Sequence, residues 1–370
     1  MLRCRVVSKI EELDPLRDPW EELRARCSGS IFSSFDWTLL WLQHFGHIAS
    51  PRIVIAEEDG NIRGIAPFAV SERSAMGIKV RRLSLIGTEA GAAEYYDLGI
   101  LCDDGVEEVT DAVIRTMKGM NWNVLNILDI EDNSRSQVLC KRIAEEWHAE
   151  ELPKMPCPFV ELPKTGDVIA VIGASTRRTI RRNISKLEDE GRVSFRANES
   201  VEDTKEAMTT YVHQHRARWR AKGGSIFDDR HLAEFIVRAA GKSAEQGSAN
   251  VYETLIDGNV ASQLFCLCEK DCIRAYRIGI NDQYLDYTPG ILVAYYAMQE
   301  ARRRGFLILD FGKGAEEFKY RIGGKDRFLV GIHARRGSVR MISKLASVPG
   351  LKSIVEKTGA KKATLKKVYQ

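Results

Sequence analysis

The chain has 370 residues, of which 44% are hydrophobic and 29% charged, a composition typical of a globular protein with room for two domains. No stretch approaches the roughly 20 consecutive apolar residues that cross a bilayer. The N-terminal Met1-Leu2-Arg3-Cys4-Arg5 lacks the apolar segment of a signal peptide. We therefore expect a cytoplasmic protein.

The net charge of +4 is unevenly distributed. Residues 335–370 hold ten Lys or Arg against the single acid Glu356, so this tail carries +9 and the preceding residues −5. A negative main body argues against nucleic acid as a partner. Two interpretations of the basic tail stay open: a solvated terminal segment, or a peripheral contact with the inner membrane.

The first half predicts helices, a hairpin and a second helix between two strands. The hairpin turns at Asp59-Gly60, and a continuous apolar run marks the last strand as buried. The predicted elements are a helix over Ser33–Phe45, hairpin strands over Arg52–Glu58 and Ile62–Val70, a strand over Glu94–Leu101, a helix over Val106–Met117 and a strand over Trp122–Ile130.

Four prolines between Pro153 and Gly166 predict a linker, which gives domains over 1–163 and 164–334 followed by the 335–370 tail. A basic helix over Thr176–Glu190 comes next, with a buried stripe of isoleucine and leucine. Its cations form either a solvated surface or an anion-binding wall. They are Arg177, Arg178, Arg181, Arg182 and Lys186.

The second half predicts the same order of elements. A helix over Thr204–Ala221 precedes an antiparallel meander that turns at Asp257-Gly258. A helix then starts at Thr288 and Pro289, and an apolar strand over Phe306–Phe311 follows it. The meander strands are predicted over Val251–Ile256, Val260–Cys268 and Cys272–Ile280.

The two halves also repeat short sequences in one order. Gly29-Ser30-Ile31-Phe32 recurs as Gly224-Ser225-Ile226-Phe227, and Tyr96–Ile100 resembles Tyr276–Ile280. Leu128-Asp129 is matched by Leu309-Asp310. An offset near 195 residues is far longer than a solenoid repeat, so a duplicated domain is indicated.

The two copies differ at the start of one helix. Tyr287-Thr288-Pro289-Gly290-Ile291-Leu292 presents free backbone N–H groups and carries no acid, which suits a diphosphate. The matching segment Cys102–Glu108 contains four carboxylates, which would repel one. We expect a cofactor site in the second copy only, formed by Tyr287, Thr288, Pro289, Gly290, Ile291 and Leu292.

With this order of elements the chain resembles the GNAT acetyltransferases. The segments Asp286–Leu292 and Leu309–Lys319, the Arg-rich stretch Ser175–Gly191 and His215-Arg216-Ala217-Arg218-Trp219 look like the CelD/BcsL type, whose fold is similar to that of the FemAB transferases. The resemblance implies an α/β (α+β) protein of two tandem GNAT-like domains, each a mixed, mainly antiparallel sheet flanked by helices.

The same resemblance implies an activity. It predicts an N- or O-acyltransferase that uses acetyl-CoA or another acyl-CoA, and no metal, to modify a carbohydrate or amine acceptor in polysaccharide or cell-envelope biosynthesis. The thioester would lie where two parallel strands part, and Gly279 suggests a bulge there. Two alternatives stay open: FemAB-like aminoacyl transfer from tRNA on the basic helix, and a non-catalytic accessory module.

Several residues are candidates for the chemistry. Asp310 is the first candidate for a general base or amine anchor, with a structural cap of the Gly312–Gly314 loop as the alternative. The resemblance to the FemAB transferases implies that Lys319 stabilises the oxyanion, with a merely exposed lysine as the alternative. On the strand, only one of the neighbours Tyr276 and Arg277 is expected to face the cleft. Catalytic candidates are Asp310, Lys319 and Tyr276; acceptor-binding candidates are His215, Arg218, Trp219 and Arg277.

Three cysteines lie close together in the sequence. Cys266, Cys268 and Cys272 lack the spacing and the fourth ligand of a zinc site. We expect buried reduced thiols.

Overall fold

A computed structural model describes residues 2–27, 29–75, 78–88, 101–102, 104–198, 200–337 and 339. The described residues form two compact units: those up to Lys154 together with those from Val330 onward, and those of Met155–Leu329. The division falls at Lys154 rather than at Pro163 because most of the predicted linker is a strand. Met155–Glu161 pairs antiparallel with Lys325–Leu329, so its prolines lie within a sheet.

The first unit contains a pair of N-terminal helices, a long hairpin and two further helices. Its elements are β1 (Arg3–Val7), α1 (Arg17–Cys27), α2 (Phe35–Phe45), β2 (Ala49–Glu58), β3 (Asn61–Ala75), β4 (Ile78–Leu85), β5 (Leu101–Cys102), α3 (Val106–Gly119), β6 (Val124–Glu131), α4 (Ser136–Trp147) and β7 (Glu150–Glu151).

The second unit repeats that plan. Its elements are β8 (Met155–Glu161), α5 (Ala174–Asp189), β9 (Val193–Asn198), α6 (Val201–Trp219), α7 (Arg230–Glu245), β10 (Ala249–Ile256), β11 (Asn259–Glu269), β12 (Cys272–Ile280), α8 (Pro289–Arg303), β13 (Ile308–Asp310) and α9 (Glu317–Arg321). The strand β14 (Lys325–Arg335) supplies its residues up to Leu329 to this unit and the later ones to the first unit.

In each unit the described strands are mainly antiparallel and include a parallel pair. In the first unit β1, β2, β3 and β4 form an antiparallel series, and β6 then runs parallel to β4. In the second unit β9, β10, β11 and β12 do the same, and β13 runs parallel to β12. The predicted fold class, mixed α/β with mainly antiparallel sheets flanked by helices, is confirmed.

The strand predicted over Glu94–Leu101 lies, apart from its last residue, outside the described residues. Leu101 and Cys102 pair antiparallel with Ile65 and Gly64 of β3, as Gly279 and Ile280 of β12 pair with β11. The parallel partner of β6 is the earlier strand β4, which begins at Ile78. The match between Tyr96–Ile100 and Tyr276–Ile280 stays a prediction.

Both predicted hairpins turn as expected. Asp59 and Gly60 have φ of 51° and 81°, and Asp257 and Gly258 have φ of 53° and 75°. Two positive φ angles in succession characterise the type I′ turn, whose twist matches that of the flanking strands. Each hairpin also contains a bulge close to its turn, next to Glu57 and next to Leu255. The duplication therefore extends to details of strand pairing.

The repeated Gly-Ser-Ile-Phe sequence forms the same element twice. In each unit it gives a single 3₁₀ turn between two helices, over Ile31–Ser33 and over Ile226–Asp228. The phenylalanine is buried in both copies. The repeat thus marks, in each unit, the 3₁₀ turn between the two helices that precede the hairpin.

The predicted C-terminal tail begins as part of the first unit. The Arg336 guanidinium lies 3.8 Å from the centroid of the Trp122 ring and donates to the carbonyl of Met120. Val339 packs with Val80 and Val124. Residues 340–370 lie outside the described residues, so most of the basic segment is not described.

Candidate functional site

The parallel strands of the second unit part after three residue pairs. Cys272, Ile273 and Arg274 of β12 pair with the three residues of β13, which ends at Asp310. β12 continues to Ile280. Its backbone beyond Arg274 therefore faces an opening on the side away from β11, where it can donate hydrogen bonds to an extended ligand.

A β-bulge lies at this opening. Phe265 of β11 pairs with Arg277 and Cys266 pairs with Ala275, so Tyr276 is the extra residue. Neighbours on a regular strand point to opposite faces, yet the Arg277 guanidinium lies 4.9 Å from the centroid of the Tyr276 ring. The bulge therefore brings the two side chains into contact, and the expectation that only one of them faces the cleft stays a prediction.

Gly279 is not the site of the bulge. It pairs in register with Gln263. A Cβ atom at this position would lie 2.8 Å from Cδ2 of Tyr211 on α6, closer than side chains pack. The residue is therefore glycine because α6 packs directly on the strand here.

The last turn of α6 brings His215 and Trp219 together. Their rings are stacked, with centroids 5.7 Å apart and planes at 18°. The Trp219 side chain remains 41% exposed. His215 Nδ1 lies 2.8 Å from the Ser225 hydroxyl oxygen, which also accepts the backbone N–H of Phe227 at 3.0 Å. The result is a fixed imidazole beside an accessible aromatic surface.

Two arginines lie near this imidazole. Burial lowers the pKa of His215, and the positive charges of Arg277 and Arg218 lower it further. Arg218 forms an ion pair with Asp282 at 3.0 Å, in the turn that follows β12. The four acceptor candidates His215, Arg218, Trp219 and Arg277 therefore form one cluster between α6 and β12.

Ser225 belongs to this cluster and was not among the predicted site residues. It is the serine of the repeated Gly-Ser-Ile-Phe sequence, whose copy in the first unit is Ser30. Ten residues before Ser30 the first unit has Trp20, whereas ten residues before Ser225 the second unit has His215. The difference between the two copies was the signal that could have identified it.

The start of α8 is more enclosed than the sequence suggests. Pro289 and Gly290 are buried, and a Cβ atom at Gly290 would lie 2.9 Å from Cδ1 of Ile280. The glycine therefore allows the helix to pack on β12, and its predicted contact with a phosphate stays a prediction. Thr288 precedes the helix as predicted, but in a left-handed conformation with φ of 52° and without a side-chain capping bond.

The basic helix α5 lies beside this helix start. The Asn183 amide donates to the backbone oxygen of Tyr287 at 2.9 Å and to Oγ1 of Thr288 at 3.2 Å. Lys186 Nζ lies 5.6 Å from the centroid of the Tyr287 ring. The six predicted cofactor residues, 287–292, thus have a cationic helix as a direct neighbour.

Asp310 is fully buried and held by several donors. Its carboxylate accepts Arg274 Nη1 at 2.7 Å, the backbone N–H of Gly312 at 2.9 Å and an N–H of Arg327. These bonds occupy the lone pairs that a general base would need. The geometry favours the structural cap that was the alternative for this residue.

Lys319 is buried as well, so the interpretation of an exposed lysine is wrong. Its ammonium donates to the backbone oxygens of Gly312, Lys313 and Gly314 at 2.8–3.1 Å. Glu316 lies 2.7 Å from the same nitrogen. These partners use every ammonium proton within the loop after β13, which leaves none for an oxyanion.

The cysteines near the site are free thiols, as predicted. Cys266 and Cys268 are buried, and burial raises the pKa of Cys272 to about 12. Among the described residues, no group of three or more His, Cys, Asp or Glu side chains is arranged to hold a metal ion. The part of the chain that the structure describes also contains no helix long and apolar enough to span a membrane.

Residues 174–320 match the family model described as an acetyltransferase (GNAT) domain. The match begins with α5 and covers the parting strands. The second unit has the fold of a GNAT acetyltransferase domain. No protein of curated function matches the sequence significantly.

Solved structures extend the likeness to both units. FemX is similar over 90% of this chain and 97% of its own, with a TM-score of 0.57 at 10% identity. A protein of unknown function from Bacteroides thetaiotaomicron has a TM-score of 0.53 at 9% identity, over 90% of this chain and 100% of its own. The C-terminal domain of a putative lysylphosphatidylglycerol synthetase from Agrobacterium fabrum has a TM-score of 0.51 at 10% identity. The match covers 92% of this chain and 98% of that domain. These likenesses concern the fold.

Proposed function

We propose that the chain is an acyl-CoA-dependent N- or O-acyltransferase whose reaction takes place in the second unit. The observation that carries this proposal is the juxtaposition of the opening between β12 and β13 with a polar cluster. The bulge at Tyr276 turns Arg277 toward His215 at this opening. A thioester and an acceptor could meet there.

The donor side needs hydrogen bonds to the thioester carbonyl, whose oxygen gains negative charge during attack. Backbone N–H groups of β12 beyond Arg274 are suitable donors because no strand among the described residues pairs with them on the β13 side. The Arg277 guanidinium adds positive charge nearby. This assignment gives the oxyanion role to β12 rather than to Lys319.

The acceptor side needs a base, and His215 meets the requirement. Its pKa is lowered by burial and by Arg277, so the imidazole is neutral at neutral pH. When Nδ1 donates to the Ser225 oxygen, Nε2 carries the lone pair that can take a proton. The acceptor nitrogen or oxygen loses its proton to Nε2 as it attacks the carbonyl carbon, and the thiolate of CoA leaves and is protonated by solvent.

The acceptor class follows from Trp219. An exposed ring stacked on the base gives a flat apolar surface next to the reacting atoms, which suits the face of a sugar ring. Arg218 and Ser225 supply polar groups around it. We therefore retain the proposal of a carbohydrate or amine acceptor in polysaccharide or cell-envelope biosynthesis, in keeping with the resemblance to the CelD/BcsL type.

The experiment has two steps. Acetyl-CoA binding to the full chain is measured by calorimetry, and CoA release is then followed with a thiol reagent in the presence of amino sugars, sugars and simple amines. His215→Gln should lower the transfer rate by about 10² to 10⁴ at neutral pH while acetyl-CoA still binds.

The matched control is His213→Gln, since His213 lies two residues away on the same helix and is exposed. It should leave the rate unchanged. A wild-type chain that binds no acyl-CoA would overturn the proposed function. Equal rates for the His215 and His213 variants would overturn the assignment of the base.

A further inference from the structure

The exposed side of α5 is a concentrated positive surface. Arg178, Arg181, Arg182 and Lys186 are exposed and Arg177 is half-buried. The spacing places like charges four residues apart three times along the helix, and each such pair destabilises an isolated helix. None of the five forms an ion pair with a carboxylate of the described residues. The free protein thus contains a repulsion that an anionic ligand would relieve.

This surface lies beside the proposed donor site. Asn183, on the adjacent side of α5, donates to the backbone oxygen of Tyr287 and to the Thr288 side chain. Lys186 and Arg192 each lie 5.6 Å from the centroid of the Tyr287 ring. Arg192 is itself paired with Asp257 and Glu190, so Lys186 and the four arginines are the charges free to meet a ligand.

The size of the surface indicates a compact ligand. From Arg177 to Lys186 the helix rises roughly 14 Å, at about 1.5 Å per residue. That length suits the few phosphates of one nucleotide. A nucleic acid requires a broader positive surface, whereas residues 1–334 together carry −5.

We infer that the side chains of α5 hold the phosphates of a nucleotide-bearing acyl donor, the 3′-phosphate and diphosphate of CoA, beside the start of α8. The inference rests on the proposed function. One arginine guanidinium can donate two hydrogen bonds to one phosphate, and Tyr287 offers a ring face beside these arginines. The cations of α5 would act together with the backbone N–H groups of residues 287–292 that the sequence predicts.

The test compares three ligands on the full chain by calorimetry: CoA, dephospho-CoA and pantetheine. The variant is Arg181→Gln with Arg182→Gln, and the control is Arg238→Gln, an exposed arginine of α7 in the same unit. We expect the double variant to bind CoA at least about tenfold more weakly, with a smaller dependence on salt. Pantetheine, which has no nucleotide, should bind the variant and the wild type alike.

Stability separates binding from a structural role. Because the double substitution removes like-charge neighbours, its melting temperature without ligand should equal or exceed that of the wild type. Unchanged CoA affinity in the double variant, with CoA bound by the wild type, would overturn this inference alone. Binding of tRNA is measured in parallel, and a double variant that loses tRNA binding but keeps CoA binding would overturn the inference in favour of RNA. A wild-type chain that binds no CoA would remove this inference and the proposed function together.

Discussion

The two units build the same scaffold and differ where a donor would bind. In the second unit Ile280 ends β12 and Pro289 begins α8 a few residues later, with no acid in the first helical turn. In the first unit β5 ends at Cys102 and α3 begins at Val106, with Glu107 and Glu108 in its first turn. A negative charge at a helix start stabilises the helix and repels phosphate.

The units also differ in what lies near the parallel strands. β12 carries a bulge next to a half-buried histidine, an exposed tryptophan and two arginines. β4 pairs regularly with β3 over the residues that face it. Beside β6, the buried His333 Nδ1 lies 2.5 Å from Oδ1 of Asn126. The second unit therefore has a histidine, His215, that can transfer a proton, whereas His333 of the first unit is buried and contributes to packing.

The largest effect is expected from Asp310, which the Leu-Asp sequence repeat matches with Asp129 of the first unit. By strand register the residue at the position of Asp310 is Asn126, which lies opposite Ser84 as Asp310 lies opposite Arg274. Asp310→Asn removes a charge that two arginines share in a fully buried place, so unfolding should become easier by about 3–5 kcal/mol. Asp129 is half-buried with φ of 60°, a conformation that asparagine also tolerates. Asp129→Asn should cost less than about 1 kcal/mol.

Urea denaturation of both variants measures this difference. The folded fraction of the Asp310 variant should retain its specific activity. A large loss of activity without a loss of stability would restore Asp310 as the general base, and equal destabilisation by the two substitutions would remove the contrast between the units.

A second effect concerns pH and the first unit. Burial lowers the pKa of His333 to about 4, and the positive charges of Arg335 and Arg82 contribute. In the unfolded chain the imidazole of His333 has its ordinary pKa of about 6.5. Below that pH the unfolded chain therefore binds a proton that the folded protein does not bind. The stability that this group supplies is thus complete above pH 6.5 and is lost as the pH falls toward 4, by roughly 3 kcal/mol.

Urea midpoints between pH 4 and 7 test this for the wild type and for His333→Gln. In the variant, the free energy of unfolding should fall less steeply as the pH drops from 6.5 to 4, and the difference in slope should correspond to about one proton. The exposed His213 serves as control, and His213→Gln should keep the wild-type profile. If the free energy of unfolding of the His333 variant falls with pH as steeply as that of the wild type, groups other than His333 cause the loss of stability.

The smallest effect concerns the basic C-terminal segment. We propose that it brings the protein to an anionic membrane surface, where each engaged Lys or Arg contributes about 1 kcal/mol. The comparison uses the full chain and a version that ends at Val339, which keeps β14 and the contact of Arg336 with Trp122. The full chain should bind phosphatidylserine-containing vesicles more tightly at low salt. Equal binding by both versions would contradict the proposal.

Features set by neighbouring residues were predictable from the sequence. The Asp-Gly pairs fix both hairpins because a type I′ turn needs two residues at positive φ. Pro289 marks the start of α8 because proline has no N–H to lose there. The stacked pair His215 and Trp219 followed from helical spacing.

Features set by distant partners were not predictable. β8 looked like a linker because it is rich in proline, yet Pro156 and Pro158 pair with β14 about 170 positions later. The role of Asp310 depends on Arg274 and Arg327, which reach it from other strands. Gly279 and Gly290 looked like a bulge and a phosphate contact, because a sequence does not reveal which side chain packs against a glycine.

We propose that only the second of the two copies binds the acyl donor. Amide hydrogen exchange of the full chain with and without acetyl-CoA tests this directly, since both units report in one experiment. We expect slower exchange with acetyl-CoA in β12, in the start of α8 and in α5, and unchanged exchange in β4 and the start of α3. Protection of β4 and α3, with β12 and α8 unaffected, would contradict it.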